Sequence, residues 1–268
     1  MAQCNETEVF MRRGRVVALA VAVMVAGDVW GITIMQAQRF DPIFGLAQVS
    51  PTTDPLSHVF TYSIVETDTV PTELVSLIET DLNPILADSG ATLYAVWVPV
   101  QIPASAPFAG LAKTQLALMT AWPDQDAPVE ILESTVRGLD GVLAVTSQVL
   151  VPIYLAEGLA VPTGAGFYVH REELYHPLDV DDAVRLSQEA WETWEPTFGT
   201  RVTSLFREKS DSVEVARLLR IVWYRSYDGW VDSRDAARAP DARRRFAARR
   251  LLQLEGSGTA IATNRAGP

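Results

Sequence analysis

Cysteine is all but missing from this 268-residue chain, with Cys4 the only one. Histidine is nearly as scarce (His58, His170 and His176), and lysine is represented only by Lys113 and Lys209. The first shortage excludes disulfides, thiolate chemistry and cysteine metal sites from everything beyond residue 4. The second leaves few imidazoles for acid–base or ligand roles. The third makes almost all cationic charge guanidinium, a bias of the kind that genome base composition produces. Recognisable catalytic patterns are missing too: no nucleophile elbow, no phosphate-binding glycine loop and no metal-ligand spacing occurs. Gly164-Ala165-Gly166 precedes a strand pattern, not a helix. Glu172 and Glu173 are adjacent, so a strand would point them to opposite faces and deny them a paired-carboxylate role.

What is present is an ordinary globular composition, 48% hydrophobic and 21% charged. A chain of this length buries roughly 70–75% of its unfolded surface without a metal or disulfide. The net charge of −11 argues against nucleic acid or an anionic membrane surface as partner. The charge is uneven. Residues 59–155 carry 11 acidic and 2 basic side chains, whereas residues 166–265 carry 16 of each. The latter stretch ends in a cluster of Arg234, Arg238, Arg243, Arg244, Arg245, Arg249 and Arg250. That cluster reads as a solvated helix face with a cationic end, as an anion site, or as a contact with the acidic half.

At the N-terminus, Met11-Arg12-Arg13-Gly14-Arg15 is followed by twelve almost wholly apolar residues, 16–27, and then by Asp28. This is the order of a secretory signal, and twelve residues are too few to span a bilayer. Residues 1–37 are therefore expected to be a signal peptide, or an N-terminal anchor if uncleaved, and the protein to be exported to a periplasm or outside the cell. Any membrane association would run through that segment alone. Residues 38–57 read as a linker.

Beyond it the chain repeats itself. Sliding the sequence by 112 positions puts His58 on His170, Leu74 on Leu186, Pro84 on Pro196 and Tyr94 on Phe206, while Trp122 meets Trp223 at a shift of 101. A Pro/Ala-rich insertion, 100–112, accounts for the difference. Each copy is about one small domain long. Residues 58–160 predict a strand at 59–65, a helix at 69–88, strands at 92–98 and 114–122, a helix at 126–138 and a strand within 142–154. The proline-rich 99–107 is not a central strand. Residues 161–268 predict a strand at 166–174, a helix at 179–198, strands at 200–207 and 215–224, a helix at 227–250 interrupted near Pro240, and a strand at 259–263. The expected fold is thus α+β: two tandem ferredoxin-like β-α-β-β-α-β units forming a dimeric-α/β-barrel-like arrangement. Each unit leaves one sheet face bare. Placing the two bare faces together predicts a barrel-like core with a ligand cavity between the sheets.

The run from Tyr168 through Arg171 to Pro177, and the stretch from Trp223-Tyr224-Arg225 to Trp230 with its arginine-rich continuation, resemble the NIPSNAP family. Glu173 and Leu178 depart from its pattern. The resemblance covers roughly residues 166–265 and implies the dimeric α/β-barrel fold. That superfamily includes small monooxygenases, haem-handling proteins and proteins without known activity.

Candidate site residues follow from chemistry. His170 is the candidate catalytic acid–base or haem ligand within a cavity. Tyr168, Arg171, Trp194, Trp223 and Tyr224 are the candidate ligand-binding residues, since aromatic crowding suits a flat apolar molecule. Arg171 and Glu173 share one strand face and invite an edge salt bridge. The functional expectation is an exported NIPSNAP-like protein that binds a small apolar or aromatic ligand or a protein partner, with homo-oligomers open. The alternative is a cofactor-free monooxygenase or a haem-handling protein. No metal is expected, and haem is the one cofactor left open.

Overall fold

The computed structural model describes residues 54–123, 127–158, 165–210, 212–254 and 259–265. All fall in one compact unit, Ser50–Pro268. The expected signal segment and nearly all of the linker lie outside the described residues. The first half runs β1 (Val59–Thr67), α1 (Pro71–Leu77), α2 (Asn83–Asp88), β2 (Thr92–Pro99), β3 (Ala109–Gly110), β4 (Gln115–Trp122), α3 (Val129–Arg137) and β5 (Val142–Leu155). The second runs β6 (Phe167–Tyr175), α4 (Val180–Phe198), β7 (Arg201–Glu208), β8 (Ala216–Tyr224), α5 (Tyr227–Asp232), α6 (Pro240–Leu252) and β9 (Thr259–Arg265).

The strand order is β2-β4-β1-β5 in the first half and β7-β8-β6-β9 in the second, each a ferredoxin-like sheet. The halves then join edge to edge. β5 pairs with β7 from Leu150–Glu208 to Leu155–Ser204. β2 pairs with β9 through Trp97–Arg265, Val98–Asn264 and Pro99–Thr263. Eight strands therefore close into a barrel, which leaves neither half an open edge. The chain is thus two tandem ferredoxin-like units in a dimeric-α/β-barrel arrangement.

Local chemistry explains where elements differ from the sequence expectation. The first long helix is interrupted by a π-helical turn, Ile78–Leu82, just before Pro84. Pro84 has no N–H and crowds the carbonyl four residues back, so the backbone widens there. The expected helix at 227–250 is two helices, because Pro240 starts the second at its first turn instead of interrupting one. The insertion yields a short strand, β3, which pairs in parallel with Ile261–Ala262 of β9. α4 ends at Gly199, whose left-handed φ of 60° suits a helix C-terminus.

The repeat itself needs re-registering. Val59–Trp122 opens the β1–β4 ladder and Phe167–Tyr224 opens the β6–β8 ladder. The first strands therefore match at a shift of 108, not 112. Under it His58 precedes its strand and His170 lies inside one, so the two histidines are not equivalent. Residue 62 and residue 170 are. The second strands match at 109, and both carry a register shift at the corresponding place, Leu93/Ala95 and Val202/Ser204. Tyr94 consequently corresponds to Thr203, and Trp97 to Phe206.

Strand alternation sends one set of side chains inward. Phe60, Tyr62, Trp97, Met119, Tyr168, Phe206, Leu219 and Ile221 form one buried cluster inside the barrel. Its contacts follow the pseudo-twofold axis. Trp97 of the first half meets Tyr168 at a ring separation of 6.1 Å, and its counterpart Phe206 meets Phe60 at 5.0 Å. The bare faces thus shelter one another, but they do so by filling the space between them. Trp97 is 0% exposed, yet its indole N–H has no partner among the described residues. Trp97→Ala should cost about 3–5 kcal/mol in urea denaturation. Trp97→Phe should cost clearly less, because it keeps most of the volume and removes the unpartnered donor.

Candidate functional site

The sequence places the catalytic candidate, His170, on the inward face of β6, and the structure seals it there. The Tyr62 hydroxyl lies 2.8 Å from its Nδ1 and the Thr263 hydroxyl 3.2 Å from its Nε2. Trp97 packs edge-on against the ring at 4.6 Å. Both nitrogens are occupied and the residue is 2% exposed. Burial pushes the imidazole down to about 3, so it stays neutral. The residue is a polar pin across the pseudo-twofold axis, without the access that an acid–base catalyst or a haem ligand needs. Tyr168 is likewise 0% exposed within the barrel cluster.

Trp223 also points to that side, at the rim, and its indole N–H donates to the Ala165 carbonyl at 3.3 Å. The neighbouring Gly166 is required by close approach, since a Cβ there would come within 2.7 Å of the Tyr224 carbonyl oxygen. His176 is exposed and caps the turn Pro177–Asp179 by accepting from the Leu178 N–H at 3.3 Å. None of the three histidines lines the pocket described next, so no imidazole there fits a haem.

The opposite face of the second half is different. Phe167, Val169, Arg171, Glu173 and Tyr175 alternate outward along β6, towards α4 and α6. Between sheet and helices lies a cavity of about 250 Å³. Six arginines line it: Arg171 and Arg220 from the sheet, Arg234 from the segment after α5, and Arg243, Arg249 and Arg250 from α6. Trp194, Tyr224 and Phe246 supply an aromatic wall. Of the ligand-binding candidates, Arg171, Trp194 and Tyr224 therefore meet at one site, while Tyr168 and Trp223 do not reach it.

The carboxylate serving this pocket is Glu173. One of its oxygens accepts from Arg220 at 2.9 Å and from Arg249 at 3.1 Å, and the other from the Tyr175 hydroxyl at 3.0 Å. The expected Arg171–Glu173 salt bridge does not form. Glu172 turns to the other sheet face, where Arg217 and Gln148 hold it at 2.9 and 3.1 Å. Arg249 also donates to Ser187 Oγ at 3.2 Å, and Arg243 donates to the Ser233 carbonyl. The Nε atoms of Arg243 and Arg249 remain buried and unpartnered among the described residues.

The guanidiniums strain against one another. Burial holds Arg171 below its ordinary value, and repulsion from Arg220 and Arg234 adds to it. Arg234 is lowered by burial and then by Arg250 and Arg220, and Arg243 by burial and then by Arg234 and Arg250. Burial raises the Tyr224 phenol while the surrounding arginines oppose it. The rest of the arginine cluster is surface chemistry. Arg238 lies over Phe198, Arg244 pairs with Asp241, and Arg245 reaches Glu189 at 3.0 Å.

The first half shows that the fold does not require any of this. At the matching sheet positions it has Ser63 for Arg171, Val65 for Glu173 and Leu118 for Arg220. Its sheet–helix interface is closed by an aliphatic cluster that includes Leu74, Ile78, Leu82, Leu116 and Leu118. The signal for the pocket lay in β8, Ala216–Tyr224, where Arg220 interrupts an apolar alternation between Leu218 and Val222.

No family model matches the sequence, and no curated protein is similar to it. Solved structures resemble it in fold. They include a mutant chlorite dismutase from Candidatus Nitrospira defluvii, 9% identical with a TM-score of 0.49, covering 79% of this chain and 92% of that one. An anthrone oxidase-like protein is 12% identical with a TM-score of 0.44 over 79% and 92%. An uncharacterized ferredoxin-fold protein from Listeria monocytogenes, related to antibiotic biosynthesis monooxygenases, is 11% identical with a TM-score of 0.40 over 78% and 96%.

Two outcomes follow from this geometry. Glu173→Leu strands Arg220 and Arg249 without a counter-charge and should destabilise the protein by about 3–5 kcal/mol in chemical denaturation. His170 contributes stability fully above its unfolded value near 6.5, and that contribution is lost as pH falls towards 3. Urea midpoints should therefore fall between pH 7 and pH 5 by an amount equivalent to about 1 kcal/mol per pH unit at most. His170→Gln should be less stable at pH 7 but show a flatter slope; an equal slope in both proteins would remove His170 from the account.

Proposed function

We propose that this is an exported, NIPSNAP-like binding protein whose ligand is a small anion held between the sheet and helices of the second half. The observation that carries the reading is the contrast between the two halves at matching positions. One interface is sealed by an aliphatic cluster, and the other, beside an apolar cluster of its own, keeps a pocket lined by six arginines, two of them on Glu173. Arg220 and Arg249 are buried and paired through Glu173, whereas Arg171 and Arg243 are half-buried and Arg234 and Arg250 exposed without a carboxylate partner among the described residues, so their charge is open to an anionic ligand. A purely apolar ligand does not suit this lining, which revises the expectation drawn from aromatic crowding.

The residues also suit binding better than chemistry. Arginine cannot exchange protons at ordinary pH, and Glu173 is fully occupied. A homo-oligomer is compatible with this reading and is not required by it; nucleic acid remains an unsuited partner for a chain of net charge −11.

Native mass spectrometry of the protein purified from its own host tests the proposal. A non-covalent anionic mass should accompany the wild-type chain and be absent from Arg171→Ser, which installs the first half's residue. The same substitution should raise the melting temperature of ligand-free protein by about 2–4 °C, because it relieves like-charge repulsion. A mass that persists unchanged in the variant would count against this pocket.

A further inference from the structure

We infer that the ligand of this pocket carries a phosphate group, gripped by Arg171 and Arg234; this rests on the pocket being the binding site. Arg220 and Arg249 already share Glu173 at 2.9 and 3.1 Å. Arg171, Arg234, Arg243 and Arg250 have no carboxylate within ion-pair distance among the described residues. Asp235 acts on Arg243 as an additional negative charge, without forming an ion pair with it. Among the described residues several positive charges are therefore left over, and they converge from β6, from the segment after α5 and from α6.

Ligand classes differ in how well they meet that surplus. A carboxylate group brings one charge and two oxygens, enough for one guanidinium fork, and in a dicarboxylate such as succinate the second charge sits on a separate group at the other end of the molecule. A phosphate monoester brings a charge of about −1.5 to −2 and three terminal oxygens, which can accept from several forks at once. Guanidinium is planar and presents paired donors, so it matches phosphate oxygens better than a point-charged ammonium would. Among the described residues no group of three His, Cys, Asp or Glu side chains could hold a bridging metal ion. The aromatic wall of Trp194, Tyr224 and Phe246 gives the remainder of the ligand an apolar surface. A volume of about 250 Å³ limits that remainder to something small.

A soluble phosphate ester and a phospholipid headgroup share this chemistry. Calorimetric titration of the full chain with glycerol 3-phosphate, with vesicles containing phosphatidate and with succinate separates the cases. Glycerol 3-phosphate should bind at least about tenfold more tightly than succinate, and EDTA should not weaken it. Arg171→Gln and the exposed Arg234→Gln should each lose about tenfold or more of that affinity, the value of one charge-assisted hydrogen bond. Binding of phosphatidate vesicles alone, lost in the same variants, would assign the phosphate to a lipid. Succinate binding that both variants abolish, with no response to either phosphate, would overturn the phosphate assignment and leave the anion pocket standing. Silence from all three probes, together with no co-purifying mass in native spectra, would overturn both. Arg234 lies at the surface, so its variant keeps the test valid even if Arg171→Gln perturbs folding.

Discussion

Two four-stranded sheets, each apolar on the face its helices do not cover, have to bury that face against something, and here each buries it against the other. Edge pairing at β5–β7 and β2–β9 closes the ring, and the inward residues of both halves fill it. Much of the molecule follows from that closure. The interior holds Trp97, Phe60, Phe206 and Tyr168 at close packing, so the space between the sheets is core and not a binding chamber. The polar groups trapped inside have to satisfy each other. Tyr62 and His170, related by the pseudo-twofold, meet across the axis and do so.

With the interior committed to stability, the sheet–helix interfaces are the places where the two halves can diverge at tolerable cost. Each is a self-contained layer, and a change in one leaves the barrel closure intact. The first half uses its layer as a second aliphatic core. The second half gives up part of that stabilisation: Arg171, Glu173 and Arg220 occupy positions where Ser63, Val65 and Leu118 show that small or apolar residues suffice. If this layer is the binding site proposed above, the trade of stability for chemistry is one that binding sites commonly make.

Much of this architecture was legible in the residues. β-Branched and aromatic enrichment in 59–65, helical spacing in 69–88 and 179–198, and the repetition itself are local patterns, and local patterns survive folding. The register of the repeat was less legible. Matching letters favoured His58 with His170, but hydrogen-bond ladders set equivalence, and the corresponding bulges at Leu93/Ala95 and Val202/Ser204 fix it elsewhere. The site was half legible for a related reason. Alternation correctly separated Arg171 from His170 onto opposite faces, but it could not say which face would be filled. Only closure of the barrel decides that, and it moved His170 from candidate catalyst to core. The arginine cluster on α6 showed as charge in the sequence. Its division into surface pairs, such as Arg245 with Glu189, and pocket-lining residues, such as Arg249, depended on helix phase against a sheet not adjacent in sequence.

The pocket's electrostatics also constrain how it could empty and fill. Glu173 is the internal anchor: by holding Arg220 and Arg249 it fixes one side of the cavity whether or not a ligand is present. Arg171 and Arg234 have no such anchor among the described residues, and the Arg234 charge adds to the lowering of Arg171. A ligand that brings these two guanidiniums together therefore has to offset their repulsion before it gains net affinity. The second negative charge of a dianion does this where a single charge falls short. If the pocket binds an anion as proposed, its unpaired arginines thus set the ligand's minimum charge.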